Sequence, residues 1–198
     1  MLAITCPGQG AQKSGFLSSF LELDAFAAQI DELSSASGID LREHGTESDD
    51  ETIKDTALAQ PLLVASAIAC AAELGVKADY VAGHSVGEIA AAQIAGIFTA
   101  SDAMRFVSVR GAGMASAAAH TPTGMSAVVG GDPEDVLAAI EAAGASPANV
   151  NGGGQTVAAG SKESLDKLAE NPPEKARVIA LPVAGAFHTD FMAPATAE

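Results

Sequence analysis

The chain has 198 residues, a length that suits one compact domain or one domain carrying a smaller one. Hydrophobic residues make up 48% of it, with no Trp and one Tyr, which indicates a globular fold with closely packed Ala-rich helices. The net charge of −15 argues against nucleic-acid binding. Cys6 and Cys70 lack any CxxC or Cys/His spacing, so we expect reduced thiols in a cytoplasmic protein and no metal site.

The first part of the chain alternates short apolar runs with helical patterns. Its predicted elements are a buried strand at Leu2–Cys6, a helix around Leu21–Leu33, a helix from Pro61 to Glu73, a buried strand at Tyr80–Ala82, a helix from Val86 to Ile97 and a helix capped by Ser101. The start of the chain has no basic region, so no secretory signal is expected. The apolar run Leu62–Ala72 is too short to span a bilayer.

From Thr123 onward the pattern changes to strands that alternate with two helices. The predicted elements are strands at Met125–Val129, Ala148–Asn151, Thr156–Ala159 and Arg177–Val183, with helices at Pro133–Ala143 and Lys162–Glu170. This β-α-β-β-α-β order is that of a ferredoxin-like unit. We therefore predict a subdomain at 122–186, inserted into a domain formed by 1–121 and 187–198.

The segment Gly83-His84-Ser85-Val86-Gly87 fits the pattern G-x-S-x-G between a predicted strand and a predicted helix. A serine at such a turn is lifted clear of the sheet, and the flanking glycines leave room for a strained backbone. Ser85 is the candidate nucleophile, and the Val86 N–H at the helix start is a candidate donor to the acyl oxygen. A chance match in an Ala/Gly-rich chain is the competing interpretation, and the pattern does not separate acyl transfer from hydrolysis.

A nucleophilic serine needs a base, and the chain has four histidines. His84 adjoins Ser85 at the strand end and should project to the other side, whereas His44 and His120 lie in polar connecting segments. His188 lies in a Gly/Ala-rich loop where the chain is expected to re-enter the first domain. We therefore favour His188 as the base, although a structural histidine would give the same pattern.

Gly8-Gln9-Gly10 follows the first predicted strand and suggests a dinucleotide site, but Lys13 occupies the position of the third glycine. Two interpretations remain. In one, the loop lets its backbone or the Gln9 amide approach a reacting group opposite Val86 as part of an oxyanion hole. In the other, it is a plain glycine turn.

Arg110 lies on the apolar face of a predicted helix. On a helical wheel it shares that face with Ala103, Phe106, Val107, Gly113 and Met114, while Arg105 and Ser108 lie opposite. A guanidinium on a buried face needs an anion. The anion is either an internal carboxylate or the carboxylate of a substrate held by two parallel hydrogen bonds.

Together these residues resemble the malonyl-CoA:acyl-carrier-protein transacylases and the acyltransferase domains of polyketide synthases. The matching stretches are Pro7–Gln12, Gln60-Pro61, Gly83–Glu88, Arg110-Gly111 with Met114, Asn149 through Gln155, and Gly185–His188. The resemblance implies an α/β-hydrolase-like core with an inserted ferredoxin-like (βαββαβ) subdomain. Members of the family continue for roughly another hundred residues, as expected of larger single domains, so this chain resembles a member without its C-terminal part.

The resemblance also implies roles for the residues. Ser85 would be acylated by malonyl-CoA with His188 as its base, and Gln9 and the Val86 N–H would form the oxyanion hole. Arg110 would hold the malonyl carboxylate, and the resemblance extends the substrate-binding residues to Met114, Phe187 and Asn151. Phe187 before the histidine and Val86 after the serine match members that use malonyl rather than methylmalonyl groups.

The implied reaction is transfer of malonyl to the phosphopantetheine thiol of acyl carrier protein, in fatty-acid or polyketide synthesis. Malonyl-CoA and the carrier are the expected partners, without nucleic acid or membrane, and no metal or tightly bound cofactor is implied. A serine hydrolase such as an esterase or patatin-like lipase, and an inactive fragment that binds acyl carrier protein, are the two alternatives.

Overall fold

The computed structural model describes residues 1–183 and 185–196. It divides into two compact units, Met1–Ala112 and Gly113–Glu198. This division places 187–198 with the second unit. The predicted domains, 1–121 with 187–198 and 122–186, stay a prediction.

The first unit consists mainly of helices packed beside a small parallel sheet. Its elements are strand β1 (Ala3–Cys6), helices α1 (Asp24–Ser37), α2 (Leu41–Thr46) and α3 (Thr56–Leu74), strand β2 (Tyr80–Gly83), helix α4 (Gly87–Ile94) and the first part of helix α5 (Ala100–His120), with 3-10 turns at Phe20–Glu22 and Thr52–Lys54. Its core gathers apolar side chains from all these helices, such as Phe26, Ile30, Leu62, Ile68 and Met104, each at most 2% exposed.

Strands β1 and β2 are both present as predicted and pair in parallel, with Ala3 opposite Tyr80 and Cys6 opposite Gly83. The prediction that both strands are buried is wrong, because exposed residues alternate along each of them. Tyr80 is 62% exposed. The pairing nevertheless places the carboxyl ends of the two strands side by side, so the loops that follow Cys6 and Gly83 start from neighbouring positions.

Helix α3 begins five residues earlier than predicted, at Thr56, and Pro61 lies inside it. The Asp55 carboxylate accepts a hydrogen bond from Ala57 N–H at 2.8 Å and thereby starts the helix. Pro61 removes one backbone hydrogen bond, a loss that burial of ten side chains along the helix offsets. By length and composition alone α3 could cross a membrane, but half of its candidate span is buried inside the structure, as in a core helix.

Helix α5 is capped by Thr99 rather than by Ser101, the predicted cap. The Thr99 hydroxyl accepts a hydrogen bond from Asp102 N–H at 3.1 Å. Since the helix begins at Ala100, Ser101 already lies in its first turn. A threonine hydroxyl placed just before the first turn satisfies an N–H that would otherwise have no partner.

The second unit shows the predicted element order. It contains strand β3 (Thr123–Gly130), helix α6 (Pro133–Ala142), strands β4 (Ser146–Gly152) and β5 (Gln155–Ser161), helix α7 (Lys162–Glu170), strand β6 (Ala176–Ala180) and a 3-10 segment at Asp190–Thr196. The four strands form an antiparallel sheet in the order β4-β5-β3-β6.

Side-chain alternation along β3 and β5 gives this sheet a different core on each face. Val128 and Ala158 pack with apolar residues of α6 and α7, such as Ile140 and Leu168. On the other face, Met125 of β3 and Val157 and Ala159 of β5 belong to a second apolar cluster. Its other members are Met114, Ala117, Ala186, Phe187 and Met192. The predicted substrate-binding residues Met114 and Phe187 therefore meet in one apolar cluster.

Candidate active site

The loops after β1 and β2 touch each other through glycine. A side chain at Gly8 would overlap the His84 ring, and one at Gly87 would overlap the carbonyl oxygens of Cys6 and Pro7. His84 N–H donates to the Cys6 carbonyl at 3.0 Å, which ties the two loops together. Only residues without a Cβ allow this approach, so Gly8 and Gly87 set the position of the segment that carries Ser85.

Ser85 lies between β2 and α4 with a φ of 54°, in the left-handed region that non-glycine residues rarely adopt. A Cβ on Gly83 would overlap the backbone of Gly87 and Glu88, so the turn closes onto the first residues of α4. Strand, strained serine and helix follow each other as in a nucleophile elbow. This strained turn between the predicted strand and helix disfavours a chance match of the G-x-S-x-G pattern.

Two backbone N–H groups border this turn. Val86 lies at the start of α4, and its N–H makes no hydrogen bond to any residue that the structure describes. The same holds for the Gln9 N–H within residues 1–183 and 185–196. N–H groups at a helix start carry part of the positive end of the helix dipole, so the Val86 N–H is suited to a developing oxyanion.

The Arg110 side chain on α5 reaches Ser85, the candidate nucleophile. Its Nη2 donates to Ser85 Oγ at 3.3 Å, and its Nη1 donates to Gln60 Oε1 at 2.6 Å. Partial burial lowers the pKa of the Arg110 guanidinium, and the charge of Glu88 opposes this shift. Among the described residues no carboxylate lies within 4 Å of Arg110, which disfavours the internal ion pair.

The burial of the other α5 residues agrees only in part with the helical-wheel prediction. Ala103 and Val107 are fully buried, but Phe106 is 51% exposed and its ring lies 6.0 Å from that of Phe98. Arg105 lies on the surface as predicted, where it pairs with Asp102 at 2.6 Å. The face that carries Arg110 is therefore buried except at Phe106, and the Arg110 side chain itself is half-buried.

Two polar residues, Gln60 and Thr56, were given no role in the site by the sequence analysis, although Gln60 lies in one of the matching stretches. Gln60 is 1% exposed, and its Nε2 donates to Gln9 Oε1 at 3.4 Å. Gln9 Nε2 donates in turn to the hydroxyl of Thr56, which is 3% exposed, at 3.2 Å. A single amide within the apolar run of α3 is the signal that could have revealed Gln60, because a buried amide needs partners.

In the second unit, the loop that carries Phe187 and His188 is held by packing and by one buried hydrogen bond. Phe187 is 6% exposed within its apolar cluster, and Ala186 N–H donates to Thr123 Oγ1 at 3.0 Å. His188 is exposed and has a φ of 61°. His188 thus directly follows the buried Phe187, in a turn whose backbone has a positive φ.

The remaining predicted residue and the other histidines have structural partners. Asn151 lies near the end of β4 at the β4–β5 hairpin, and its Nδ2 donates to Gln155 Oε1 at 2.8 Å. His44 lies within α2, not in a connecting segment, and its Nδ1 lies 2.9 Å from Ser48 Oγ. His120 ends α5, with its Nδ1 2.7 Å from the Ser116 carbonyl oxygen.

Comparison with known proteins identifies the family. The model of the acyl transferase domain matches residues 4–198. The chain is 53% identical over 201 residues to the malonyl CoA-acyl carrier protein transacylase of Mycobacterium tuberculosis H37Rv, covering 98% of this chain and 67% of that protein. The transacylase of Escherichia coli K12 is 33% identical, with 98% and 66% covered. The chain therefore spans about two thirds of the length of these relatives.

Solved structures agree. The crystal structure of MCAT from Mycobacterium tuberculosis superposes with a TM-score of 0.93 at 53% identity, covering 98% of this chain and 66% of that one. The acyl-carrier-protein S-malonyltransferase of Burkholderia pseudomallei 1710b gives 0.88 at 31% identity, with 98% and 67% covered. These comparisons confirm the resemblance predicted from the sequence, and the chain belongs to the family of acyltransferases that contains the malonyl CoA-acyl carrier protein transacylases.

Proposed function

We propose that the protein transfers a malonyl group from malonyl-CoA to the phosphopantetheine thiol of acyl carrier protein in fatty-acid synthesis. The relatives named above are transacylases of this kind. The observation that carries the proposal is the Arg110 guanidinium, which donates to Ser85 Oγ at 3.3 Å without a described carboxylate within 4 Å. A cation without a carboxylate partner beside a nucleophile suits an acyl group that brings its own carboxylate.

In the proposed first half-reaction, Ser85 Oγ attacks the thioester carbonyl of malonyl-CoA while His188 takes the hydroxyl proton. The N–H groups of Gln9 and Val86 stabilise the oxyanion of the tetrahedral intermediate. Collapse of this intermediate breaks the C–S bond, and the CoA thiol leaves with the proton from His188. In the second half-reaction the carrier thiol gives its proton to His188 and attacks the carbonyl of malonyl-Ser85. The C–O bond to Ser85 breaks, and His188 returns the proton to Ser85 Oγ.

Arg110 would hold the malonyl carboxylate by two parallel hydrogen bonds during both steps. Its bond to Ser85 Oγ supports this placement, because a malonyl group on that oxygen would lie next to the guanidinium. We assign Phe187 and Val86 to the choice of malonyl over methylmalonyl, since the Phe187 ring would crowd a methyl branch, and Met114 and Asn151 to substrate binding. Met114 and Phe187 are both buried in one apolar cluster, which supports a rigid placement of these two side chains.

The proposal extends to the architecture and the setting. We assign the parallel strands and their helices to an α/β-hydrolase-like core, and the antiparallel β4-β5-β3-β6 sheet to a ferredoxin-like subdomain, whose strand order it matches. The reaction needs no metal or tightly bound cofactor, since phosphopantetheine arrives on the two substrates. A cytoplasmic enzyme with malonyl-CoA and acyl carrier protein as its partners, and neither nucleic acid nor membrane, fits this chemistry.

Intact-protein mass spectrometry after mixing with malonyl-CoA tests the nucleophile. We expect one added malonyl group on the wild type and none on Ser85→Ala, because the serine oxygen is the only proposed acceptor. A thiol acceptor added to the malonylated protein should remove the group faster than water does. An adduct that persists in Ser85→Ala, or hydrolysis that outpaces transfer, would contradict the transferase mechanism and favour a hydrolase.

The role of Arg110 is tested by comparing two acyl donors. Arg110→Ala should slow malonyl loading of Ser85 by about 100-fold, since charge-assisted hydrogen bonds to the carboxylate are lost. Acetyl loading should be much less affected, because acetyl has no carboxylate. Arg105→Ala, on the exposed side of the same helix, is the matched control and should leave both rates unchanged. An equal loss for malonyl and acetyl in Arg110→Ala would refute the carboxylate assignment.

A further inference from the structure

The hydrogen bonds that start at Arg110 form a row that ends at Thr56. Arg110 donates to Gln60, Gln60 donates to Gln9, and Gln9 donates to the Thr56 hydroxyl, at 2.6, 3.4 and 3.2 Å. Thr56 and Gln60 are four residues apart on α3 and therefore share one face of the helix. Both side chains are buried, with exposures of 3% and 1%.

The direction of this row follows from the chemistry of its first member. A guanidinium can only donate, so it requires the carbonyl oxygen of Gln60 to face it. The Gln60 NH₂ then points to Gln9 and requires an oxygen there, which turns the Gln9 NH₂ toward Thr56. A threonine hydroxyl has lone pairs that accept this last bond, whereas a valine of the same shape has none.

We propose that Thr56 is a positioning residue for malonyl recognition: its hydroxyl is the last acceptor of the row, stabilises the Gln9 and Gln60 amides in the orientation that Arg110 requires, and so helps to hold the guanidinium toward the acyl group on Ser85. The inference rests on the proposed function, because the carboxylate it serves is that of malonyl. Without the Thr56 acceptor the Gln9 amide can turn, and the bond from Gln60 to Gln9, which helps to hold the Gln60 oxygen toward Arg110, is weakened.

The backbone of the Gln9 loop has anchors that do not involve Thr56. Gly10 N–H donates to Gln12 Oε1 at 2.8 Å, and Gln12 Nε2 donates to the Ile53 carbonyl at 3.2 Å. Gly8 packs directly against His84. Loss of the Thr56 hydroxyl should therefore disturb the row of side chains and leave the Gln9 N–H, the proposed oxyanion donor, in place. Because the backbone N–H stays in place, removal of the Thr56 hydroxyl should slow loading of malonyl more than loading of acetyl.

The kinetic test compares Thr56→Val with the wild type for both acyl donors. We expect kcat/KM for malonyl loading of Ser85 to fall about five- to tenfold, the effect of losing one buried hydrogen-bond acceptor, while acetyl loading stays within about twofold. Thr56→Ser keeps the hydroxyl and should restore malonyl loading. Thr156→Val, a buried threonine of β5 outside this row, is the matched control for the loss of a buried hydroxyl.

A spectroscopic test does not depend on activity. In Thr56→Val the side-chain N–H signals of Arg110 and Gln60 should shift in ¹⁵N–¹H spectra, although Thr56 shares no hydrogen bond with Arg110. The inference is overturned by unchanged Arg110 signals, by equal loss of malonyl and acetyl loading, or by a Thr56→Ser variant as impaired as Thr56→Val. If the wild type takes up no malonyl group, the proposed function fails, and the spectra alone decide the role of Thr56.

Discussion

Two of the predicted catalytic residues share a backbone conformation that few non-glycine residues adopt, and the molecule stabilises it differently in each. Ser85 has a φ of 54° and His188 a φ of 61°. Around Ser85, glycine backbones approach other backbone segments so closely that a Cβ on Gly83 or Gly87 would overlap them. Around His188, the turn is held by side-chain packing of Phe187 and by the bond from Ala186 to Thr123.

The two turns have different tasks in the proposed mechanism. In the proposed mechanism the backbone at Ser85 is itself functional, since the oxygen of the serine and the N–H of Val86 would both face the same acyl group. A close backbone approach leaves this turn little freedom. At His188 only a side chain has to be presented, so a turn anchored by Phe187 suffices. The two turns should therefore respond differently to substitution.

Gly83→Ala should have the largest effect. Its Cβ would overlap the backbone of Gly87 and Glu88, which cannot move aside as a flexible side chain can. We expect a loss of about 4 kcal/mol in the free energy of unfolding, at the severe end of single substitutions. Urea denaturation of Gly83→Ala and the wild type measures this loss.

Gly124→Ala is the matched control, because a Cβ there would meet only Leu165 Cδ1 at an ordinary 3.5 Å. It should change the free energy of unfolding by less than about 0.5 kcal/mol. If Gly83→Ala were as mild as this control, backbone approach would not be what holds the Ser85 turn.

Phe187→Ala should come next, with a loss of about 3 kcal/mol from the cavity left in the apolar cluster. Phe187→Leu keeps most of the volume and should cost about 1 kcal/mol. Thermal unfolding of both variants measures the difference. Similar losses for alanine and leucine would mean that packing volume at Phe187 does not anchor the His188 turn.

The sequence predicted the Ser85 turn well because its determinants are local. Glycines at fixed distances from a serine, between an apolar run and a helical pattern, leave few alternatives for the backbone. Arg110 was found for a similar reason, since a single cation on an apolar helix face is visible in the helical periodicity. In both cases the informative residues lie within one or two turns of each other.

The row from Arg110 to Thr56 could not be predicted in the same way. Gln9, Gln60 and Arg110 are about fifty residues apart from one to the next, and only the packing of the fold brings their side chains together. The start of α3 was predicted at Pro61 because proline favours the first turn of a helix. The helix instead begins at Thr56, because the Asp55 carboxylate caps it there. The exposure of β1 and β2 was missed because an apolar run does not reveal which of its faces is covered.

Thr123→Val should have the smallest effect of the three and isolates the hydrogen bond from Ala186 to Thr123, which ties the His188 turn to β3. The Ala186 N–H is buried, and without the Thr123 hydroxyl it would lose its acceptor at 3.0 Å. An unsatisfied buried donor costs about 1–2 kcal/mol, and the valine keeps the shape of the side chain, so packing is preserved. Amide hydrogen exchange should show faster exchange at Ala186, while Thr123→Ser should restore its protection. Unchanged exchange at Ala186 in Thr123→Val would mean that the Phe187 cluster alone holds the turn, which would sharpen its contrast with the glycine-locked turn at Ser85.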